Sequence, residues 1–263
     1  MASPGGTDPI PLVALAGDGG TTRLIHAVDA VVSRGLGPYA LIGGLAVIAN
    51  LNRVHRATGD IDTVVDDDEG AVARLVTSLI EDAHATPKNS GDGVVLADGT
   101  KVDIIRTGAW DPDALPDDDV QRVFIVAHWW AVQTAAPVRL VALQDGTVTA
   151  ETVVNLARPA PLVAAELQSR LTRKGPTKDK ELSDAYDIYR LLDACNRGGE
   201  ISNELVAAPV DISEFCLQQL QAVFIDGSDR WARRINVSFQ AAAVSPADFE
   251  VVGALAIDRI RRR

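Results

Sequence analysis

Residues 39 to 65 constrain the fold more than any other stretch, and they read YALIGGLAVIANLNRVHRATGDIDTVV. The apolar run Tyr39 to Ile42 meets a glycine pair, Gly43 and Gly44. The apolar segment Leu45 to Leu51 that follows has helical length, so the pattern is strand, tight turn, helix. A basic turn, Asn52 to Arg56, leads to Thr58 and then to Asp60 and Asp62, which alternate with Ile61 in an apolar run ending at Val65. Residues two apart on a strand point the same way, so Asp60 and Asp62 project together while Ile61 and Val64 face the core. Two carboxylates held this close repel unless a cation lies between them. Hard oxygen donors suit Mg²⁺, which keeps water and substrate phosphates in its shell.

The glycine pair fits the same chemistry. A helix N-terminus free of side chains offers backbone N–H groups to a phosphate. Asp103 supplies a third carboxylate in the short run Lys101 to Ile105, just after the hairpin signal Asp98-Gly99. A strand there, laid beside the Asp60 strand, completes a metal site of Asp60, Asp62 and Asp103.

These residues resemble the signature of the DNA polymerase β nucleotidyltransferase superfamily, specifically its AbiEii-like (MenT-like) toxin branch. The resemblance rests on Gly43, Gly44, Arg56, Thr58, Asp60 and Asp62. It continues at Lys180 and the segment Ser183 to Leu192, SDAYDIYRLL, which is similar to the family's second motif, a basic residue ahead of a DxxD helix. It covers roughly residues 20 to 195. The resemblance implies an α/β (α+β) minimal nucleotidyltransferase mixed sheet with flanking helices, then a C-terminal helical region. The division expected is a catalytic domain over residues 1–155 and a helical domain over 156–263 that contributes Lys180 and Asp187 to the site. It further implies Mg²⁺-dependent transfer of a nucleoside monophosphate from a nucleoside triphosphate to an acceptor, the tRNA 3′ end, by the toxin of a toxin–antitoxin pair with a cognate antitoxin protein. Asp60, Asp62, Asp103, Lys180 and Asp187 are the implied catalytic residues, and Gly43, Gly44, Arg56, Thr58, Arg170, Lys174 and Asp184 the implied nucleotide-binding ones. The chain departs from the pattern at Glu166, where related sequences often carry a lysine; Lys180 or Arg170 must then supply the cation for the triphosphate. The alternatives are a small-molecule nucleotidyltransferase of the antibiotic-modifying kind and a non-catalytic interaction protein that retains the fold.

Composition limits the partners. A net charge of −11 means that any nucleic-acid footprint is local. The densest basic run is Arg170 to Lys180, with a second at the C-terminal Arg259 to Arg263. No apolar run is long enough to cross a bilayer and the N-terminus lacks a basic flank before an apolar stretch, so the expectation is a cytoplasmic protein without membrane association. Cys195 and Cys216 belong to no metal or disulfide pattern and are expected to be small buried hydrophobes.

The rest of the chain reads as scaffold. Residues 9 to 20 imitate a dinucleotide-binding start but lack its glycine spacing and any P-loop lysine. The helix expected over Thr21 to Arg34 has Thr21 or Thr22 as N-cap. Asp66 to Glu69 precede a helix at Gly70 to Asp82 as capping acids, and 111–119 is an acidic loop. His128, within Val120 to Val132, is expected in the core, and His26, His55 and His84 show no paired metal spacing. Asp145-Gly146 marks a hairpin between Val138 and Val154. Helices are expected at Leu162 to Arg173, Asp179 to Ala194 and roughly 212–225, 228–243 and 246–260, the last three with no chemical motif.

Overall fold

A computed structural model describes residues 9–17, 19–35, 37–66, 70–88, 93–107, 111–173, 180–209, 211–239 and 242–262. Its centre is a mixed sheet of eight strands in the order β1-β7-β8-β2-β3-β6-β5-β4, as the α/β expectation requires. The strands are β1 (Leu12–Ala16), β2 (Tyr39–Ile42), β3 (Asp60–Val65), β4 (Thr86–Pro87), β5 (Gly93–Val95), β6 (Lys101–Arg106), β7 (Ala136–Gln144) and β8 (Thr147–Leu156). Ten α-helices are described: α1 (Gly19–Val32), α2 (Gly43–Leu51), α3 (Ala71–Ala83), α4 (Asp119–Thr134), α5 (Pro159–Thr172), α6 (Lys180–Cys195), α7 (Glu200–Val206), α8 (Ile212–Leu220), α9 (Ser228–Ser238) and α10 (Pro246–Arg261). Among the described residues no helix is long and apolar enough to cross a membrane.

The strand–turn–helix–strand unit forms as its pattern requires. β2 and β3 pair antiparallel, with Ile42 opposite Asp62, and α2 bridges them. Ile61 and Val64 are fully buried. β6 lies parallel to β3 with Asp103 directly opposite Asp62, the adjacency expected from the Asp98-Gly99 turn. That turn closes through Gly99 N–H to Leu96 O and Thr100 N–H to the Asp98 carboxylate at 2.8 Å. The β7–β8 hairpin turns at Asp145 (φ 51°) and Gly146 (φ 78°), the left-handed pair that matches strand twist.

Helix starts differ from the sequence reading where tertiary contacts take the capping groups. α1 begins at Gly19, so Thr21 and Thr22 are not its caps but lie in its first turn, where the Thr22 hydroxyl bonds Thr149 on β8 at 2.6 Å. α3 is capped by Gly70 in a left-handed conformation with no side-chain cap and no acid in its first turn. Asp67, Asp68 and Glu69, expected to cap it, lie outside the described residues, and the helix expected over 228–243 is shorter, with Phe239, Ala242 and Ala243 not helical. α9 itself ends at Ser238. The acidic loop is a 3-10 turn, Pro112–Ala114, followed by Asp118, whose carboxylate caps α4 through Gln121 N–H at 2.8 Å.

One core runs through the sheet and its helices. α1 packs on β7 and β8, α4 on β2, β3 and α5, and α5 on α6. α6 also packs on α2, which brings residues of the 180s against the glycine turn. α10 packs on α6, α7, α9 and the π-helical turn Gln221–Ile225 through stacked Phe224 and Phe249, whose centroids are 4.3 Å apart. Cys216 is fully buried, Cys195 half-buried, and both are free.

Candidate active-site cleft

The cleft, of about 230 Å³, opens where β3, β6, the start of α2, α5 and the start of α6 meet. Gly43, Gly44, Arg56, Thr58, Asp60, Asp62, Asp103, Lys180 and Asp184 line it, together with Glu166, Ser169, Arg173, Ser183 and His128. Chain segments more than a hundred residues apart thus converge on the DxD strand.

Both glycines are required by geometry. Gly43 has φ +67°, and a Cβ there would collide with the Asp62 carboxylate. At Gly44 a Cβ would lie 2.6 Å from an Arg56 guanidinium nitrogen and 3.0 Å from the Thr58 hydroxyl. Ile42, the N-cap of α2, offers no side-chain acceptor, so the first amides of this helix are left to solvent or an anion.

The acidic floor is unevenly compensated. Asp60 accepts from Lys180 Nζ at 2.8 Å and from Thr58 Oγ1 at 3.2 Å. Burial raises the Asp60 carboxyl, but Lys180 and Thr58 outweigh it and hold it below the usual carboxylate range. Lys88, from the end of β4, forms an ion pair with Asp103. Asp62 has no hydrogen-bond partner among the described residues. Burial, followed by the charges of Asp60 and Asp103, pushes its carboxyl up to about 7. Among the described residues, no three His, Cys, Asp or Glu side chains converge closely enough to hold a metal ion. The three aspartates share one region of the sheet, but two of them turn toward lysines.

The helical wall is a buried ionic network. Asp187, fully buried, accepts from Arg56 Nε at 2.7 Å, from a second Arg56 nitrogen, and from His55 Nε2 at 2.7 Å. Burial works against the Arg56 charge, yet the Asp187 bonds prevail and raise its pKa. Asp184, 3% exposed, takes a two-point contact from Arg173, Nε at 2.9 Å and a terminal nitrogen at 3.0 Å. Glu166, 8% exposed, lies against Asp184. Burial, then the Asp184 and Asp187 charges, drives its carboxyl well above the usual range, which favours its protonated form beside Asp184.

Several sequence expectations change here. Asp187 does not line the cleft; it anchors Arg56, which does. Arg170 points away, donating to Gln219 at 3.0 Å, so the cation beside the departure at Glu166 is Arg173, with Lys180 already on Asp60. Lys174 lies outside the described residues. His128 is buried as expected, with its Nδ1 2.6 Å from Phe124 O, but it also borders the cleft. Lys88 and His55 are absent from the expected site residues, and Arg173, expected only as part of the basic run, joins the cleft. Arg173 sits in the basic run and His55 beside Arg56, whereas nothing local marks Lys88.

No protein-family model matches the chain, and no curated protein matches it. Among solved structures, the chain is similar to JHP933 from Helicobacter pylori, with a TM-score of 0.41, 12% identity, and coverage of 92% of this chain and 94% of that one. It is also similar to an antigenic nucleotidyltransferase-like protein from Paracoccidioides brasiliensis, with a TM-score of 0.41, 18% identity, and coverage of 76% of this chain and 94% of that one.

Proposed function

We propose that the cleft transfers a nucleoside monophosphate from a nucleoside triphosphate to an acceptor hydroxyl. The observation that carries this reading is the meeting of an acidic floor, Asp60, Asp62 and Asp103, with an uncapped helix N-terminus at Gly43-Gly44 inside a rim of Arg56, Arg173 and Lys180. A polyphosphate needs all three: amide donors, guanidinium and ammonium charge, and carboxylates able to share a cation. The donor set fits Mg²⁺ in kind, because Asp62 is a hard oxygen donor without a protein partner among the described residues. Burial and then the charges of Asp60 and Asp103 push its carboxyl up to about 7, and a divalent cation would relieve the repulsive part. Asp60 and Asp62 would hold the ion, with Asp103 beside them. Bound there, it would neutralise phosphate charge.

In the transfer, the acceptor oxygen forms a bond to the α-phosphorus and its proton passes to Asp103. The bond from the α-phosphorus to the bridging oxygen breaks, and pyrophosphate leaves with the electron pair. Lys180 and Arg173 offset charge on the departing phosphates, and Gly43 and Gly44 amides orient one of them. Catalysis of this kind is mainly positioning and charge neutralisation. Asp187 holds Arg56 at the rim, and Glu166, neutral, lets Asp184 hold Arg173 without adding a third negative charge.

The acceptor we propose is the tRNA 3′ end, and the physiological role that of a toxin restrained by an antitoxin protein, both following the resemblance of the two motifs. A small-molecule acceptor is the second reading, favoured by the net charge of −11. The test is incubation with Mg²⁺, each α-labelled triphosphate, and either total tRNA, total protein or aminoglycoside-type polyols. Label on tRNA is expected. Label only on a small molecule selects the second reading, and no label on any acceptor refutes nucleotidyl transfer.

A further inference from the structure

The C-terminal helices, which carry no motif, hold an electropositive cluster of their own. Trp231 of α9 is 1% exposed, and three arginines surround its ring. The guanidinium carbons of Arg230 and Arg234 each lie 5.0 Å from the ring centroid, and that of Arg170, from α5, lies 5.5 Å away. Arg230 and Arg234 are exposed and have no carboxylate or hydrogen-bond partner among the described residues. Arg170 bonds only the neutral Gln219, and its Nε, like the Trp231 indole N–H, is buried without a partner. Arg233, on the same helix, differs: it pairs with Asp229 at 2.9 Å.

Three cations around one indole repel one another. Cation–π attraction draws each guanidinium to the indole, while the like charges repel one another. The chain has 36 acidic residues against 25 basic ones, yet among the described residues Arg230 and Arg234 form no ion pair, and Arg170 feels the charges of Glu181 and Asp184 without bonding either. Held about 5.0 Å from the indole centroid, Arg230 and Arg234 keep guanidinium N–H groups unpaired among the described residues, which is a presentation that phosphate oxygens accept.

We infer that Arg170, Arg230 and Arg234 form a phosphate-binding cluster that docks the backbone of a single-stranded polynucleotide and leads its end to the cleft. Two features favour a polynucleotide over an acidic protein. The cluster lies within electrostatic reach of the cleft, since Arg170 interacts with the charge of Asp184 on the cleft wall. Arg234 also borders a groove of about 580 Å³ lined by Leu182, Val237 and Phe239, with Val237 82% exposed. Apolar and aromatic surface beside guanidiniums suits unpaired bases on a phosphate strand. This inference rests on the polynucleotide-acceptor reading above.

The test measures binding apart from transfer. A fluorescein-labelled single-stranded RNA oligonucleotide is titrated with the full chain, without triphosphate, over about 50 to 200 mM salt. The Arg230→Gln/Arg234→Gln double variant is expected to bind at least about tenfold more weakly. Its slope of log affinity against log salt should be flatter by about 1.4, since each single-strand phosphate contact contributes about 0.7. Each single variant should flatten it by about 0.7, and Arg230→Lys/Arg234→Lys should keep most of the slope. Thermal melting of every variant verifies folding. Wild-type affinity and slope in a folded double Gln variant overturn the inference, as does a wild-type chain that binds no RNA. RNA binding through these arginines with no transfer from any triphosphate leaves the docking site standing and refutes the transfer reading. Undiminished transfer to tRNA in the double Gln variant does the reverse.

Discussion

The two walls of the cleft hold three acids each and treat them in opposite ways. The sheet floor keeps Asp60, Asp62 and Asp103 partly accessible, with lysines at two of them and, among the described residues, no hydrogen-bond partner on the third. The α5–α6 wall buries Glu166, Asp184 and Asp187 and compensates them with Arg56, Arg173 and His55. A buried charge tolerates no missing partner, so the helical wall is a rigid mount whose acids stabilise through their partners. The floor stores uncompensated charge in the cleft, where a ligand can use it. This contrast predicts that mutations in the two walls separate activity from stability.

The largest effect is expected on the floor. Asp62→Ala, and likewise Asp60→Ala, should abolish transfer with the fold intact, because neither carboxylate supports packing; Asp103→Asn should cost less, since phosphate binding survives. Initial rates with labelled triphosphate, set beside thermal melting, check this, and full activity in either Ala variant would remove the DxD pair from the site. On the other wall, Asp187→Ala leaves Arg56 and His55 buried without their acceptor and should cost about 3–5 kcal/mol of stability. Urea unfolding measures it. A loss below about 1 kcal/mol would erase the distinction between the walls.

A smaller effect follows from pH. Asp62 titrates near 7 in the folded chain and in the ordinary carboxylate range when unfolded. Between those values the folded state binds more protons, so Asp62 makes stability fall as pH rises from about 4 to 7. Glu166 acts in the same direction. Unfolding measured across this range should show a shallower decline in Asp62→Asn, and an unchanged decline would mean that Asp62 is not held protonated by its neighbours. The smallest effect is expected for Glu166→Gln. A neutral acid exchanged for a neutral amide of the same shape keeps the hydrogen bond to Asp184, so the change in stability should stay within about 1 kcal/mol. A drop of several would show that Glu166 is ionised in the wall.

What the sequence alone determined is local. Alternation in a strand places Asp60 and Asp62 side by side, a glycine pair between strand and helix leaves amides uncovered, and Asp98-Gly99 sets up the strand that carries Asp103. Each follows from period, turn chemistry and adjacency over a few residues. The tertiary structure decided what those groups face. The side chains of α5 radiate at 100° steps, and only its packing against α6 and α8 turns Arg173 into the cleft and Arg170 toward Trp231 of α9, though both belong to one basic run. The pairing of Arg56 with Asp187 spans 131 residues, and that of Lys180 with Asp60 spans 120. No local pattern encodes such partners, because long-range ion pairs are set by where packed helices end, and that is settled by the core as a whole.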